Sequence, residues 1–255
     1  MYVFCYDGTF EGFLTVVFEA FDRKIIPDKI VSHEYLQTLL FTEKHEIITD
    51  SQKADRVWVG LHTKVSEELC KVLAVVFLSE LPDMELLLFN FIRKAFNSTV
   101  SIENNYGDPC VLEVSKIFRK VSKEADRVRM FVRFQKTLDE IYFASFEPQY
   151  NVIPLSVKHF ENRFPDQKWI IYDIRRKYGF YYDLEGVSEI RFDQIKMNPS
   201  DGSIDQSMVA PNEKLFQQLW KTYFDNMAIK ERINPRLHKQ LLPKRFWKYL
   251  PEKQG

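Results

Sequence analysis

The chain has 255 residues, 45% of them hydrophobic, with 22 phenylalanines against only 8 glycines; a chain so rich in large apolar side chains buries a core and is not a disordered or low-complexity polymer. Its 36 Lys and Arg equal its 36 Asp and Glu, so no overall charge draws it to nucleic acid or to an anionic membrane. Any such partner has to be met by a local patch. Cys5, Cys70 and Cys110 stand far apart without Cys-x-x-Cys spacing, which excludes a disulfide scaffold and suits a reduced, cytoplasmic setting.

Tyr2 to Tyr6 has the composition of a strand, and Asp7-Gly8-Thr9 turns it into a helix with Phe10, Phe13, Leu14, Val17, Phe18 and Phe21 on one side and Thr9 as N-cap. Asp7 and Glu11 interrupt the apolar start, so no leader segment is expected. His45 to Thr49 reads as a second short strand able to pair with the first. Helices follow from Ser51, from Ser66 through Leu78, and from Met84 to Phe96, the break between the last two marked by Leu81-Pro82-Asp83. The apolar runs 72–77 and 86–91 are separated by Glu80, Pro82, Asp83 and Glu85, too short for a membrane span.

From Val111 to Arg127 the spacing of Val111, Val114, Ile117, Phe118 and Val121 predicts an amphipathic helix. The period then changes to two: Val128, Met130, Val132 and Phe134 alternate with Arg129, Phe131 and Arg133, which predicts a strand. Its return partner is Ile141 to Phe146. A helix over Pro154 to Phe164 and strands over Lys168 to Ile174 and Tyr178 to Asp183 complete an antiparallel β-β-α-β-β sheet unit. The predicted class is therefore α+β: this sheet unit, surrounded by a mostly helical N-terminal half with a short strand pair and by a helical C-terminal segment. The expected division is 1–107 and 108–255, or one integrated domain. After a polar loop over Met197 to Gly202, the chain returns to helix over Asn212 to Ile229, with Leu215, Leu219, Trp220 and Phe224 as its apolar ridge.

The segment Lys230 to Lys253 holds eight Lys or Arg against Glu231 and Glu252, with Trp247 and Tyr249 interleaved and three prolines. Lys and Arg neutralise phosphates while an exposed ring stacks on a base, the combination found in single-strand binders. Arg236, Lys239, Lys244, Arg245, Trp247 and Lys248 are the candidates. The plainer alternative is a tail folded onto the body with Phe246 and Trp247 as anchors. Arg175, Arg176 and Lys177 at the predicted turn between two strands are suited to phosphate or carboxylate, or form a solvated turn.

His159 falls late in a short predicted helix, within reach of Glu147 and of the strand carrying Asp173; a histidine held by carboxylates is a general-base candidate, and a core or edge histidine beside Phe160 and Phe164 is the plainer account. His33, His45, His62 and His238 lack paired spacing, so no metal and no cofactor is expected. Glycine-rich nucleotide loops and a Gly-x-Ser-x-Gly elbow are absent from the sequence.

Three blocks carry a family resemblance: Tyr6-Asp7-Gly8-Thr9-Phe10-Glu11-Gly12-Phe13-Leu14 with Val17 to Phe21; Phe131-Val132-Arg133-Phe134 through Glu147-Pro148, His159-Phe160, Trp169 and Tyr178-Gly179; and Asn234-Pro235-Arg236 with Leu242 to Leu250. In these the chain resembles a bacterial family of probable DNA metabolism proteins built on a domain of unknown function. The resemblance implies an accessory role in DNA repair or modification, with DNA and a radical SAM protein encoded nearby as partners. Some members are fused to a domain like uracil-DNA glycosylase, whose activity is not expected here. The alternative is an enzyme acting on a nucleic-acid base or nucleoside through the His159, Glu147 and Asp173 pocket.

Overall fold

A computed structural model describes residues 1–33, 43–192, 198, 202–227 and 234–253. The chain divides into two compact units, Met1–Ser122 and Lys123–Gly255. The expected polar loop after Met197 and the expected helix end near Ile229 lie largely outside the described residues.

The first unit is built on β1 (Tyr2–Tyr6), the central strand of a parallel three-stranded sheet between β2 (Lys29–Ser32) and β3 (Glu43–Glu46). Val3, Phe4, Cys5 and Tyr6 are all buried, on both faces of the strand, as parallel strands covered by helices require. The helices are α1 (Phe10–Asp22), α2 (Ser51–Lys64), α3 (Glu67–Phe77), α4 (Met84–Asn97) and the first half of α5 (Pro109–Phe131). Three of these helices start at a side-chain cap: the Thr9, Asp50 and Ser66 side chains accept from the backbone N–H of Gly12, Lys53 and Leu69, Thr9 being the cap that the sequence predicts. The half-buried Phe10 and Phe77 rings meet Phe13 and Trp58 in edge and stacked contacts that lock α1 to its neighbours. The strand pair of the sequence reading is present, but β2 completes a sheet where a single pair of strands was expected.

The second unit holds a five-stranded sheet in the order β4 (Gln135–Lys136), β5 (Tyr142–Phe146), β6 (Trp169–Asp173), β7 (Tyr178–Tyr182) and β8 (Val187–Ile190). This corrects the antiparallel unit expected from the sequence. β5 and β6 are parallel, Tyr142 lying opposite Trp169 and Phe146 opposite Asp173. A helix between them, α6 (Val157–Arg163), carries the chain back to the starting edge, and a strand-helix-strand crossover within one sheet gives parallel neighbours. The remaining pairs are antiparallel.

The strand expected at Val128 to Phe134 is also corrected, because α5 continues to Phe131. Val121, Ala125 and Val128 are buried at helical spacing, and the alternation that follows them is overridden by this longer-range period. Phe160 of α6 packs on Trp169 at 6.2 Å between ring centres and on Phe134 at 5.9 Å, while Ile204 covers Phe143 and Tyr172. The C-terminal segment comprises α7 (Glu213–Met227), α8 (Pro235–Leu241) and short 3-10 turns over Lys244–Tyr249 and Pro251–Lys253. None of the described helices is long and apolar enough to cross a membrane.

In the first unit the Tyr6 hydroxyl donates to Glu85 Oε1 at 3.2 Å. Burial raises the carboxyl of Glu85 above its ordinary value and, with the Glu85 charge beside it, raises the Tyr6 phenol as well. A carboxyl raised in the folded state contributes stability that is full below its unfolded value and is lost as pH rises through its folded value. Glu85→Gln should therefore remove the part of the stability that Glu85 gains as pH falls from neutral to mildly acid, so that the Tm difference between variant and parent changes over that range; thermal melts in which the difference stays constant with pH would show that Glu85 makes no such contribution.

Candidate nucleic-acid interface

The second unit is tied together by one carboxylate. Glu124 lies on the apolar side of α5 with its side chain 1% exposed. It accepts from Arg127 Nη1 at 3.3 Å, from the backbone N–H of Gln149 at 3.0 Å, and from the Arg245 guanidinium. Arg127 also donates to the Gln240 carbonyl at 3.1 Å. A buried charge is tolerated only when paired and bonded, so the helix, the loop after β5 and the C-terminal run must meet here.

Two further contacts set the loop over Glu147 to Gln149. Asp173, fully buried at the end of β6, accepts from the backbone N–H groups of Arg175 and Arg176 at 2.9 and 3.0 Å and from Arg176 Nη1 at 2.8 Å. Burial raises its carboxyl, and these donors oppose the rise. Arg176 reaches onward to the Pro148 carbonyl at 3.2 Å. Asp173 and Arg176 thus shape the hairpin turn and its neighbour loop, and they point Arg175 outward.

The result is a cleft of about 590 Å³ lined by Glu147, Pro148, Gln149, Arg175, Lys244, Arg245 and Lys248. Four cations face one carboxylate across it. Lys248 Nζ lies 2.7 Å from Glu147 Oε2, and the Tyr249 hydroxyl donates to the same oxygen at 3.1 Å. The Lys248 ammonium, foremost, holds the Glu147 carboxyl below its ordinary value. Lys244 is exposed and has no hydrogen bond or ion pair among the described residues. A second cavity, about 450 Å³, is lined by Lys136 and Lys168 against Asp139, Glu140 and Asp166, a balance that does not favour an anion.

Of the residues singled out in the sequence, Glu147, Arg175, Lys244, Arg245 and Lys248 come together in the cleft. Lys177 is exposed in the turn at φ 57°, and Arg236 and Lys239 are exposed on α8, outside the cleft lining. Trp247 is half-buried: its indole N–H donates to the Leu242 carbonyl at 3.1 Å and its ring meets His238 edge-on at 5.9 Å. Phe246 and Leu250 are buried beside it, so the tail does fold onto the body. His159 is exposed, its ring edge on Phe160 at 5.2 Å. Among the described residues, no hydrogen bond or ion pair joins its imidazole to Glu147 or Asp173. Glu124 and Gln149 were not singled out in the sequence, although an acid on the apolar stripe of Val121, Ala125 and Val128 is the signal that marks Glu124.

The family model described as a domain of unknown function, DUF4130, matches residues 82–252, and with them every residue of the cleft. The chain belongs to the DUF4130 family. No curated protein matches the sequence. Among solved structures, a pGpG-specific phosphodiesterase, PggH, from Vibrio cholerae is similar at 10% identity over 89% of this chain and 100% of that chain, with a TM-score of 0.27. At that score the likeness establishes no shared fold for the DUF4130 chain.

Glu124→Ala should destabilise the protein by roughly 3 kcal/mol, since it strands two guanidinium groups and the Gln149 N–H. Asp126→Ala, at an exposed acid paired with Arg129 on the same helix, should cost less than about 1 kcal/mol. Urea denaturation of both variants measures the difference, and equal losses would refute the central role of Glu124.

Proposed function

We propose that the second unit binds the phosphate backbone of nucleic acid in the cleft of Arg175, Lys244, Arg245 and Lys248, and that the chain serves DNA repair or modification as a binding accessory. The single observation that carries this reading is the convergence of cations from two distant parts of the chain, the hairpin turn at Arg175 and the run over Lys244 to Lys248, onto one surface of a molecule with no net charge. Neutral proteins do not attract a polyanion at long range; a local cluster with excess positive charge does so at short range. Two of the cations already have carboxylate partners, Glu124 for Arg245 and Glu147 for Lys248, so Arg175 and Lys244 supply the excess.

The chemistry favours backbone over bases. Phosphate contacts from Lys and Arg position a strand without reading its sequence, and the ring of Trp247 is engaged internally. Binding is therefore salt-sensitive and sequence-tolerant. The resemblance of three sequence blocks to bacterial DNA-metabolism proteins favours nucleic acid as the polyanion and a radical SAM protein as companion.

Fluorescence anisotropy of a labelled single-stranded oligonucleotide across a salt series tests the reading. Lys244→Ala should weaken binding and shallow the log-log salt slope by about 0.7, the value for one phosphate contact on a single strand. Glu147→Gln should tighten binding, because the carboxylate competes with phosphate for Lys248. Affinity and slope unchanged in both variants would overturn the proposal.

A further inference from the structure

The helix α7 wears its apolar side outward. Toward the body of the second unit it presents Glu213, whose carboxylate accepts from the Lys136 N–H and from Gln217 Nε2, both at 3.1 Å, and Phe224, whose ring lies 4.7 Å from the Lys253 ammonium. On the other side stand Leu215, Phe216, Leu219, Tyr223 and Met227, each between 54 and 63% exposed. Of the apolar ridge that the sequence marks, Leu215 and Leu219 are open to solvent.

Leu215, Leu219, Tyr223 and Met227 follow one another every four residues and form a single ridge along the helix, with Phe216 beside it. The neighbouring row, Lys214, Gln218, Thr222 and Asn226, carries one charge. Aromatic and Met side chains with charge depleted are the composition of an interface core, and the largest apolar patch on a protein surface is often functional.

We propose that this strip is the contact of a two-fold homodimer, covered by α7 of a second copy of the chain. The five side chains present roughly 500 Å² of exposed surface, taking large apolar side chains at roughly 150–250 Å² each. A standard interface requires roughly 800 Å² per partner, which the partly exposed Trp220 and the polar row beside the ridge complete. An isologous contact needs a self-complementary surface, and a lone four-residue ridge is one: it seats in the groove beside the same ridge of the other copy, in the commonest helix-packing class. With the two-fold axis beside Leu219 and the helices antiparallel, Phe216 of one copy approaches Tyr223 of the other. The two Lys214 side chains then fall at opposite ends of the contact. Equal numbers of positive and negative residues leave no net repulsion between the two bodies.

Sedimentation velocity on the full chain, from about 1 to 100 µM, is the test, spanning the range of a micromolar self-association. A concentration-dependent dimer is expected, with Leu219→Lys weakening it at least about tenfold while leaving Tm within a degree or so of the parent, because the side chain is exposed. Mixing Leu219→Lys with Leu219→Glu should restore association through opposed charges at the axis. A chain that stays monomeric throughout, a dimer indifferent to Leu219→Lys, or a charge pair that fails to rescue would each overturn the proposal. Nucleic-acid affinity plays no part in this experiment.

Discussion

A carboxylate withdrawn from water governs the second unit. Glu124 is surrounded by the apolar positions Val121, Ala125 and Val128 of α5, and an unpaired charge at such a place is prohibitive. The chain meets that constraint with Arg127, Arg245 and the Gln149 N–H. Each partner brings a different segment, so satisfying one group assembles the sheet edge, the helix and the tail. The cationic cleft is a by-product of this closure: Arg245, recruited to neutralise the buried acid, ends up lining a surface, and its neighbours Arg175 and Lys244 add charge that the buried acid does not absorb.

Asp173 does the same on a smaller scale. Its fully buried side chain organises the turn from β6 to β7 and, through Arg176, the loop before Tyr150. The two acids together explain why Arg175 and Arg176, adjacent in sequence, have different roles. Arg176 is 10% exposed and spent on Asp173, whereas Arg175 is left facing the cleft. Ion pairs of this kind contribute less to net stability than to a unique arrangement of segments, since their Coulomb gain is largely offset by desolvation.

Much of this was legible in the residues. Caps at Thr9, Asp50 and Ser66 mark helix starts because the hydroxyl or carboxylate chemistry is local, and the strands at Tyr142, Trp169 and Tyr178 announce themselves by β-branched and aromatic runs. What failed was chemistry that is not local. The alternation after Val128 looks like a strand until Val121 and Ala125 are seen to continue through it, and the direction of β6 follows from α6 crossing the sheet. β2 and β8 are four residues each, too short for a periodic signal. The cations of the cleft were visible as a basic run and a basic turn, but their common destination depends on Glu124, whose partner lies 121 residues away. Trp247 carried two readings in the sequence, since an aromatic ring in a basic run suits an anchor as well as a stacking surface, and its bond to the Leu242 carbonyl depends on how the tail folds.

That separation has a consequence for biosynthesis. At about 5–20 residues per second, Arg245 leaves the ribosome roughly ten seconds after Glu124, and until then the acid must stay hydrated, so this half of the protein cannot close while nascent. Three of the four cleft cations arrive with the same late stretch. A product terminated early by a damaged message would lack both the bolt and three of the cleft cations together, leaving an open fragment for proteases to remove.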